Sequence, residues 1–189
     1  MRTARRPGRA VGAAAALACV LGSGCAYSER HSDKADKAEM AHSDWSNLST
    51  NLLIDKYGPP DRVETRRLVW EKRGPWKRIV VWDMMGFFEG DFSVKNIEET
   101  LYYPVPRERR GDVREFRKDL TVSEDGAELS ARSASEETNF LALNLADEIV
   151  RGKTKVADAR AFYDQTVKLS ESGKTSPYMK GLLFQPGPY

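Results

Sequence analysis

The sequence predicts an α+β fold in which an N-terminal helix precedes an antiparallel sheet of about five strands, and two C-terminal helices pack on one face of that sheet. Three observations support this prediction. Apolar residues recur at helical spacing before Gly58, β-forming residues alternate with polar ones through the middle of the chain, and two further helical patterns follow near the C-terminus. We expect these elements to form a single domain over residues 44–189.

The first helix is bounded by local signals. Asp44 is a good N-cap, and apolar side chains then recur at Trp45, Leu48 and Leu52. Gly58 suits a left-handed helix end, and the two prolines that follow it prevent continuation of the helix.

The strands are predicted from β-forming residues and turn signals. The stretches ETRRLVWEK and WKRIVVWD flank RGPW, which indicates a hairpin around Gly74 and Pro75. In NIEETLYYPVP, Ile97 and Leu101 fall on one face of a third strand. The dipeptide DG at residues 125–126 predicts a second hairpin, and PRERRGDVREFRK is expected to be a solvated loop or helix edge.

The two C-terminal helices carry capping signals. Ser133 and Glu136 have the spacing of a capping box for the first helix, which Gly152 ends. Thr154 can cap the second helix, which is predicted to end at Gly173. The tail after Gly173 offers a Leu-Leu-Phe stretch for burial.

Residues 1–24 have the layout of an export signal. Four arginines come first, an apolar run follows at 11–22, and small residues precede Cys25. The apolar run is too short to span the ~30 Å hydrocarbon core of a bilayer. Ending at Cys25, LGSGC resembles a bacterial lipoprotein signal, which implies that the signal is removed, that Cys25 becomes the first residue and that it carries lipid. Residues 25–43 are then a lipidated Cys followed by a polar, flexible tether.

The net charge and the predicted export of the protein argue against one class of partner. Without the four arginines of the signal, 26 basic groups remain against 28 acidic ones, a net charge of −2. This balance and the exported address argue against a nucleic-acid partner. We expect a periplasm-facing protein in the cell envelope, bound to the membrane through lipid at Cys25. Ala26 stands where Asp would resemble an inner-membrane retention signal, which favours the outer membrane.

The composition limits the chemistry. The two histidines, His31 and His42, lie in the tether, and neither cysteine lies in the domain. A Ser-His-Asp or Cys-His site and a Cys/His zinc site are therefore excluded, and we predict no metal and no cofactor. Catalysis by carboxylates stays open, which leaves an enzyme uncertain but not favoured. The candidate carboxylates are Asp83, Glu89, Asp91, Glu98 and Glu99.

Cations and tryptophans alternate around the first predicted hairpin. Such a surface can bind anionic head groups, glycan or a partner protein, although we favour the other explanation, a buried strand face with basic residues on the wet side. Trp76 lies in the predicted turn, where burial is hardest to arrange. The candidate contact residues are therefore Trp76, Arg73 and Lys77.

Two family resemblances concern the domain. The domain resembles a family of small bacterial proteins of unassigned activity in three stretches, YGPPDRV…LVWEKRGPWKRIVVW, NFLALNLADEIVRGK and ARAFY. The order of a helix, a GxPD motif and a strand with Trp is similar to that of small outer-membrane assembly lipoproteins. The matching residues here are Gly58, Pro60, Asp61 and Trp70, whereas the Gly-Met-Thr helix start of that family is missing.

Three hypotheses for function follow. The first is a non-catalytic interaction or scaffold module that contacts envelope proteins or the cell wall. The second is a carboxylate-based hydrolase of envelope glycan. The third is a module that binds a small apolar ligand or lipid under residues 84–92, the apolar loop MMGFFEGDF.

Overall fold

The computed structural model describes residues 48–82 and 96–188. The predicted signal, Cys25, the tether, Asp44, Trp45 and the loop at 84–92 lie outside the described residues, as do Asp83, Glu89 and Asp91. Within these ranges the chain forms four α-helices and six β-strands. Their bounds are α1 Leu48–Tyr57, β1 Arg62–Glu64, β2 Arg67–Arg73, β3 Trp76–Trp82, β4 Ile97–Tyr102, α2 Arg110–Phe116, β5 Leu120–Val122, β6 Glu128–Ser133, α3 Glu136–Val150 and α4 Val156–Glu171.

The six strands form one sheet in the order β1-β2-β3-β4-β6-β5, and every neighbouring pair is antiparallel. The α+β fold is therefore confirmed, with six strands where about five were expected. Both predicted hairpins are present. The β2–β3 turn contains Gly74 with a φ of 55°, and the β5–β6 turn contains Gly126 with a φ of 80°.

The turn after α1 is tied to the second strand of the sheet. Gly58 ends the helix with a φ of 78°, as predicted, and its carbonyl accepts a hydrogen bond of 2.8 Å from Nε1 of Trp70. Asp61 accepts hydrogen bonds from the Glu71 backbone N–H at 2.8 Å and from Nη2 of Arg73 at 2.6 Å. These bonds set the position of α1 relative to β2.

The helices are arranged in layers on the sheet. Helix α3 packs on β4 and β6, whereas the principal contacts of α4 are with α2 and α3. Helix α2 lies within the stretch expected as a solvated loop or helix edge, and it buries Val113 and Phe116. The Phe116 ring meets Tyr163 of α4 edge-on at 6.2 Å between centroids, which joins α2 to α4.

Two of the predicted caps are wrong. Ser135, not Ser133, is the N-cap of α3 and accepts from the Thr138 backbone N–H, while the Ser133 hydroxyl donates to the Ser135 carbonyl. Lys155, not Thr154, precedes α4 and provides no side-chain cap. In both cases the helix begins one or two residues later than the local signal suggests. Among the described residues, no helix is long and apolar enough to cross a membrane.

Candidate functional site

Glu136 joins three elements at one end of the sheet. It is the first residue of α3, so its carboxylate lies at the positive end of the helix dipole. Its Oε1 accepts hydrogen bonds from the Tyr57 hydroxyl and from Nε1 of Trp76, the latter at 3.0 Å. Its Oε2 forms an ion pair of 2.5 Å with Nζ of Lys56. Helix α1, strand β3 and helix α3 are thus tied together through one carboxylate.

Trp76 differs from the sequence prediction. Its side chain is fully buried, although it was expected to be exposed at the turn. Lys72 of β2 has a left-handed backbone with a φ of 52°. Its neighbours Glu71 and Arg73 pair with Arg78 and Trp76 of β3. Strand alternation would place position 72 on the same buried face as Trp70. The left-handed backbone interrupts this alternation, so that Lys72 is exposed and Trp76 faces the helices. Its indole stacks on Phe140 of α3 with ring centroids 5.2 Å apart, so it is not a surface contact residue.

The other two candidate contact residues have partners within the domain. Arg73 is paired with Asp61 as described above. Lys77 forms an ion pair with Glu128, which raises the pKa of Lys77, and its ammonium lies 4.5 Å from the centroid of the Tyr102 ring. The structure therefore does not bring Trp76, Arg73 and Lys77 together into one exposed surface.

A buried carboxyl group lies beside the Glu136 cluster. Glu99 of β4 is fully buried, and its Oε2 accepts a hydrogen bond of 2.9 Å from Nδ2 of Asn139 on α3. Glu99 Oε1 and Asn139 Oδ1 are both buried without a hydrogen-bond partner among the described residues. Burial raises the pKa of Glu99 well above its usual value, and the nearby charge of Glu136 raises it further. Burial therefore favours the protonated form of Glu99 in the folded protein.

Burial also controls the Tyr57 hydroxyl. Desolvation, followed by its hydrogen bond to Glu136, raises the pKa of Tyr57 far above the ordinary value of 10.0. This shift favours the protonated hydroxyl, which donates its hydrogen bond to Glu136.

A groove of about 400 Å³ opens between α1, the N-terminus of α3 and the start of β4. We call it the α1–α3 groove. Leu52, on its rim, is 55% exposed, whereas Leu53 and Ile97 are buried residues that contribute to its wall. The lining residues are Leu52, Leu53, Asp55, Lys56, Ile97, Ser135, Glu136 and Glu137.

Of the five carboxylates considered for catalysis, Glu98 and Glu99 lie among the described residues, and these two are not brought together. Glu98 and Glu99 are adjacent on β4 and face opposite sides of the sheet, where Glu98 accepts from Nε1 of Trp82 at 3.3 Å. Within the described ranges, no group of three or more His, Cys, Asp or Glu side chains is placed to hold a metal ion.

We compared the chain with known protein families, with curated proteins and with solved structures. No match was found. The resemblances to a lipoprotein signal, to a family of small bacterial proteins of unassigned activity and to small outer-membrane assembly lipoproteins therefore stay predictions. The α1–α3 groove with its Glu136 cluster is the feature from which function is inferred.

The sequence reasoning missed the cluster. Tyr57, Glu136 and Asn139 come from different parts of the chain, and no local spacing links them. One signal was present, because Glu99 has the same strand parity as Ile97 and Leu101 and must share their buried face. A carboxyl group on a buried strand face needs partners from an element packed above it, and here that element is α3.

Proposed function

We propose that this protein is a cell-envelope lipoprotein, anchored through lipid at Cys25, whose α+β domain is a non-catalytic binding module. The observation that carries the binding role is the α1–α3 groove, because its volume lies within the usual range for ligand sites, ~300–1,000 Å³. The lipobox-like LGSGC stretch supports the anchored address.

The burial of Glu99 and the hydrogen bonds of Glu136 support a binding role over catalysis by these two carboxyl groups. A general acid or base must exchange its proton with a substrate that reaches it. Glu99 is fully buried, and Glu136 is held by Tyr57, Trp76 and Lys56. Both carboxyl groups thus have a structural role, which favours a binding module over a carboxylate-based hydrolase.

The anchor is tested by intact mass and membrane fractionation of the native protein. We expect the mass of residues 25–189 plus acyl groups, recovered with outer membranes. Cys25→Ser should carry no acyl groups. Cys19→Ser is the matched control, because Cys19 is expected to be removed with the signal. The mature protein from this variant should have the same mass and the same membrane fraction as the native protein. A native protein without acyl groups would contradict the proposed anchor.

A further inference from the structure

We propose that the α1–α3 groove binds a small amphiphile in which an apolar chain is joined to a protonated amine. This inference rests on the binding role proposed above and names the class of ligand. It does not depend on whether Cys25 is lipidated.

The volume of the groove and its three apolar lining residues suit a short alkyl or aromatic chain. Leu52 presents an exposed side chain at the rim, and Leu53 and Ile97 form a buried wall behind it. Covering a large exposed apolar side chain such as Leu52 removes apolar surface from water, which is the usual driving force for ligand binding at such a site.

The charge of the groove selects a cationic head group. Among the described residues that line it are three carboxylates, from Asp55, Glu136 and Glu137, and one ammonium, from Lys56, which together give a net charge of −2. Lys56 is already paired with Glu136. Asp55 and Glu137 form no ion pair with another described residue and are exposed at the mouth of the groove.

The N-terminus of α3, which borders the groove, does not reverse this preference. A helix N-terminus ordinarily attracts anions because its first N–H groups are unpaired. In α3 the first turn carries its own carboxylates, Glu136 and Glu137, and Ser135 caps an N–H group. An anionic ligand would therefore meet two carboxylates before it reached the helix end.

Three probes that share one alkyl chain separate the apolar from the charged contribution: octylammonium, octanol and octanoate. Each is titrated into the full chain carrying Cys25→Ser, below its micelle-forming concentration, while backbone amide signals are followed by NMR. We expect octylammonium to shift the signals of Leu52, Lys56 and Glu136 and to bind about tenfold more tightly than octanoate.

A charge-neutral variant tests the head-group site. Glu137→Gln should weaken octylammonium binding about threefold and leave octanol binding unchanged, because an exposed carboxylate contributes modestly. Glu171→Gln, which neutralises an exposed glutamate on α4 outside the groove, should change neither.

Several outcomes would overturn the inference. Equal binding of the three probes would show that charge plays no part, and tighter binding of octanoate would reverse the assigned ligand class. Groove signals that shift with protein concentration but not with probe would assign the groove to a second copy of the chain.

The inference and the proposed anchor can fail separately. Octylammonium binding by a protein that carries no acyl groups in cells would keep this inference and remove only the proposed anchor.

Discussion

Glu99 is a residue whose charge state the fold controls. It lies on the buried face of β4, and α3 covers it with Asn139. Because an ionised carboxylate at this position would lose its hydration, the folded protein keeps the proton of Glu99 at pH values where the unfolded chain releases it. The folded state then binds more protons, so the free energy of unfolding falls as the pH rises above 4.5, the ordinary pKa of the group, towards its higher pKa in the fold.

We predict that Glu99→Gln stabilises the protein at neutral and alkaline pH. The amide can still accept from Asn139 Nδ2, and because it has no titratable proton it stays neutral in this buried site at every pH. The free energy of unfolding, measured by urea denaturation, should rise by about 1–3 kcal/mol at about pH 8 and change much less at about pH 4.

Glu98→Gln is the control for this prediction. Glu98 lies on the opposite face of the same strand and is partly exposed, so neutralising it should not remove the fall in stability above pH 4.5. If Glu99→Gln destabilised the protein equally at both pH values, the buried carboxyl group would have to be ionised and paired in the fold.

At the scale of single residues, strand alternation in the sequence predicted which apolar side chains of β4 are buried, but not which partners the polar side chains contact. Ile97 and Leu101 are buried as expected. The burial of Trp76 depends on Glu136, which is 60 residues away, and on a left-handed backbone at Lys72. Neither feature has a signature in the local sequence, because Lys rarely adopts that conformation and the hydrogen bond exists only after α3 packs.

At the scale of elements, the β5–β6 turn depends on a side chain from α2. Arg110 donates hydrogen bonds to the backbone carbonyls of Glu124 and Asp125, each at 2.8 Å, and to that of Val105 at 3.2 Å. Gly126 in this turn has a left-handed backbone, and a Cβ built on it would overlap the Arg110 guanidinium. The turn and α2 are therefore held in place by the same contact.

We predict that Gly126→Ala destabilises the protein more than Gly173→Ala. Both glycines have a φ near 80°, so each substitution costs roughly 1–2 kcal/mol of backbone strain. At Gly173 a Cβ meets no described atom within 4 Å, whereas at Gly126 it must also displace Arg110 from three carbonyls. The difference between the two variants in urea denaturation should be about 2 kcal/mol. Equal losses would mean that Arg110 moves aside without cost.

Elements were predictable where their signals are local. Gly74 and the DG turn at 125–126 correctly mark both hairpins, because glycine is what their left-handed positions require. Helix α2 was not predicted as an element, since seven residues with two buried side chains show too little periodicity. The α3 cap was displaced from Ser133 to Ser135 because Ser133 still belongs to β6.

At the scale of the whole molecule, the C-terminal tail crosses from the helices back to the sheet. Phe184 meets the Tyr103 ring edge-on at 5.1 Å, and the Gly187 N–H donates to the Tyr102 carbonyl at 2.7 Å. Leu183, expected to be buried from the sequence, is 56% exposed. Its backbone is nevertheless fixed, because its N–H donates to the Asn144 side chain at 2.7 Å.

Asn144 of α3 is the central attachment point of this tail. It is buried, and its Nδ2 donates to the carbonyls of Tyr178 and Gly181 at 2.9 and 2.8 Å while its Oδ1 accepts from Leu183. The Tyr178 hydroxyl adds a second attachment, a hydrogen bond of 2.6 Å to Glu148, which raises the pKa of Tyr178 to about 12. An amide is the side chain that can donate twice and accept once in this geometry.

We predict that Asn144→Asp releases the tail without unfolding the sheet. The substitution keeps the size of the side chain but sets a carboxylate against two carbonyl oxygens, so two hydrogen bonds become repulsive contacts in a buried site. Amide hydrogen exchange over residues 178–188 should accelerate at least about tenfold, while the amides of β3 and β4 change much less. Gln165→Glu makes the same chemical change at an exposed position of α4 and should leave both regions unaffected. Equal acceleration in the tail and in the sheet would instead show that the tail and the core unfold as one unit, in which case Asn144 stabilises the whole domain and not the tail alone.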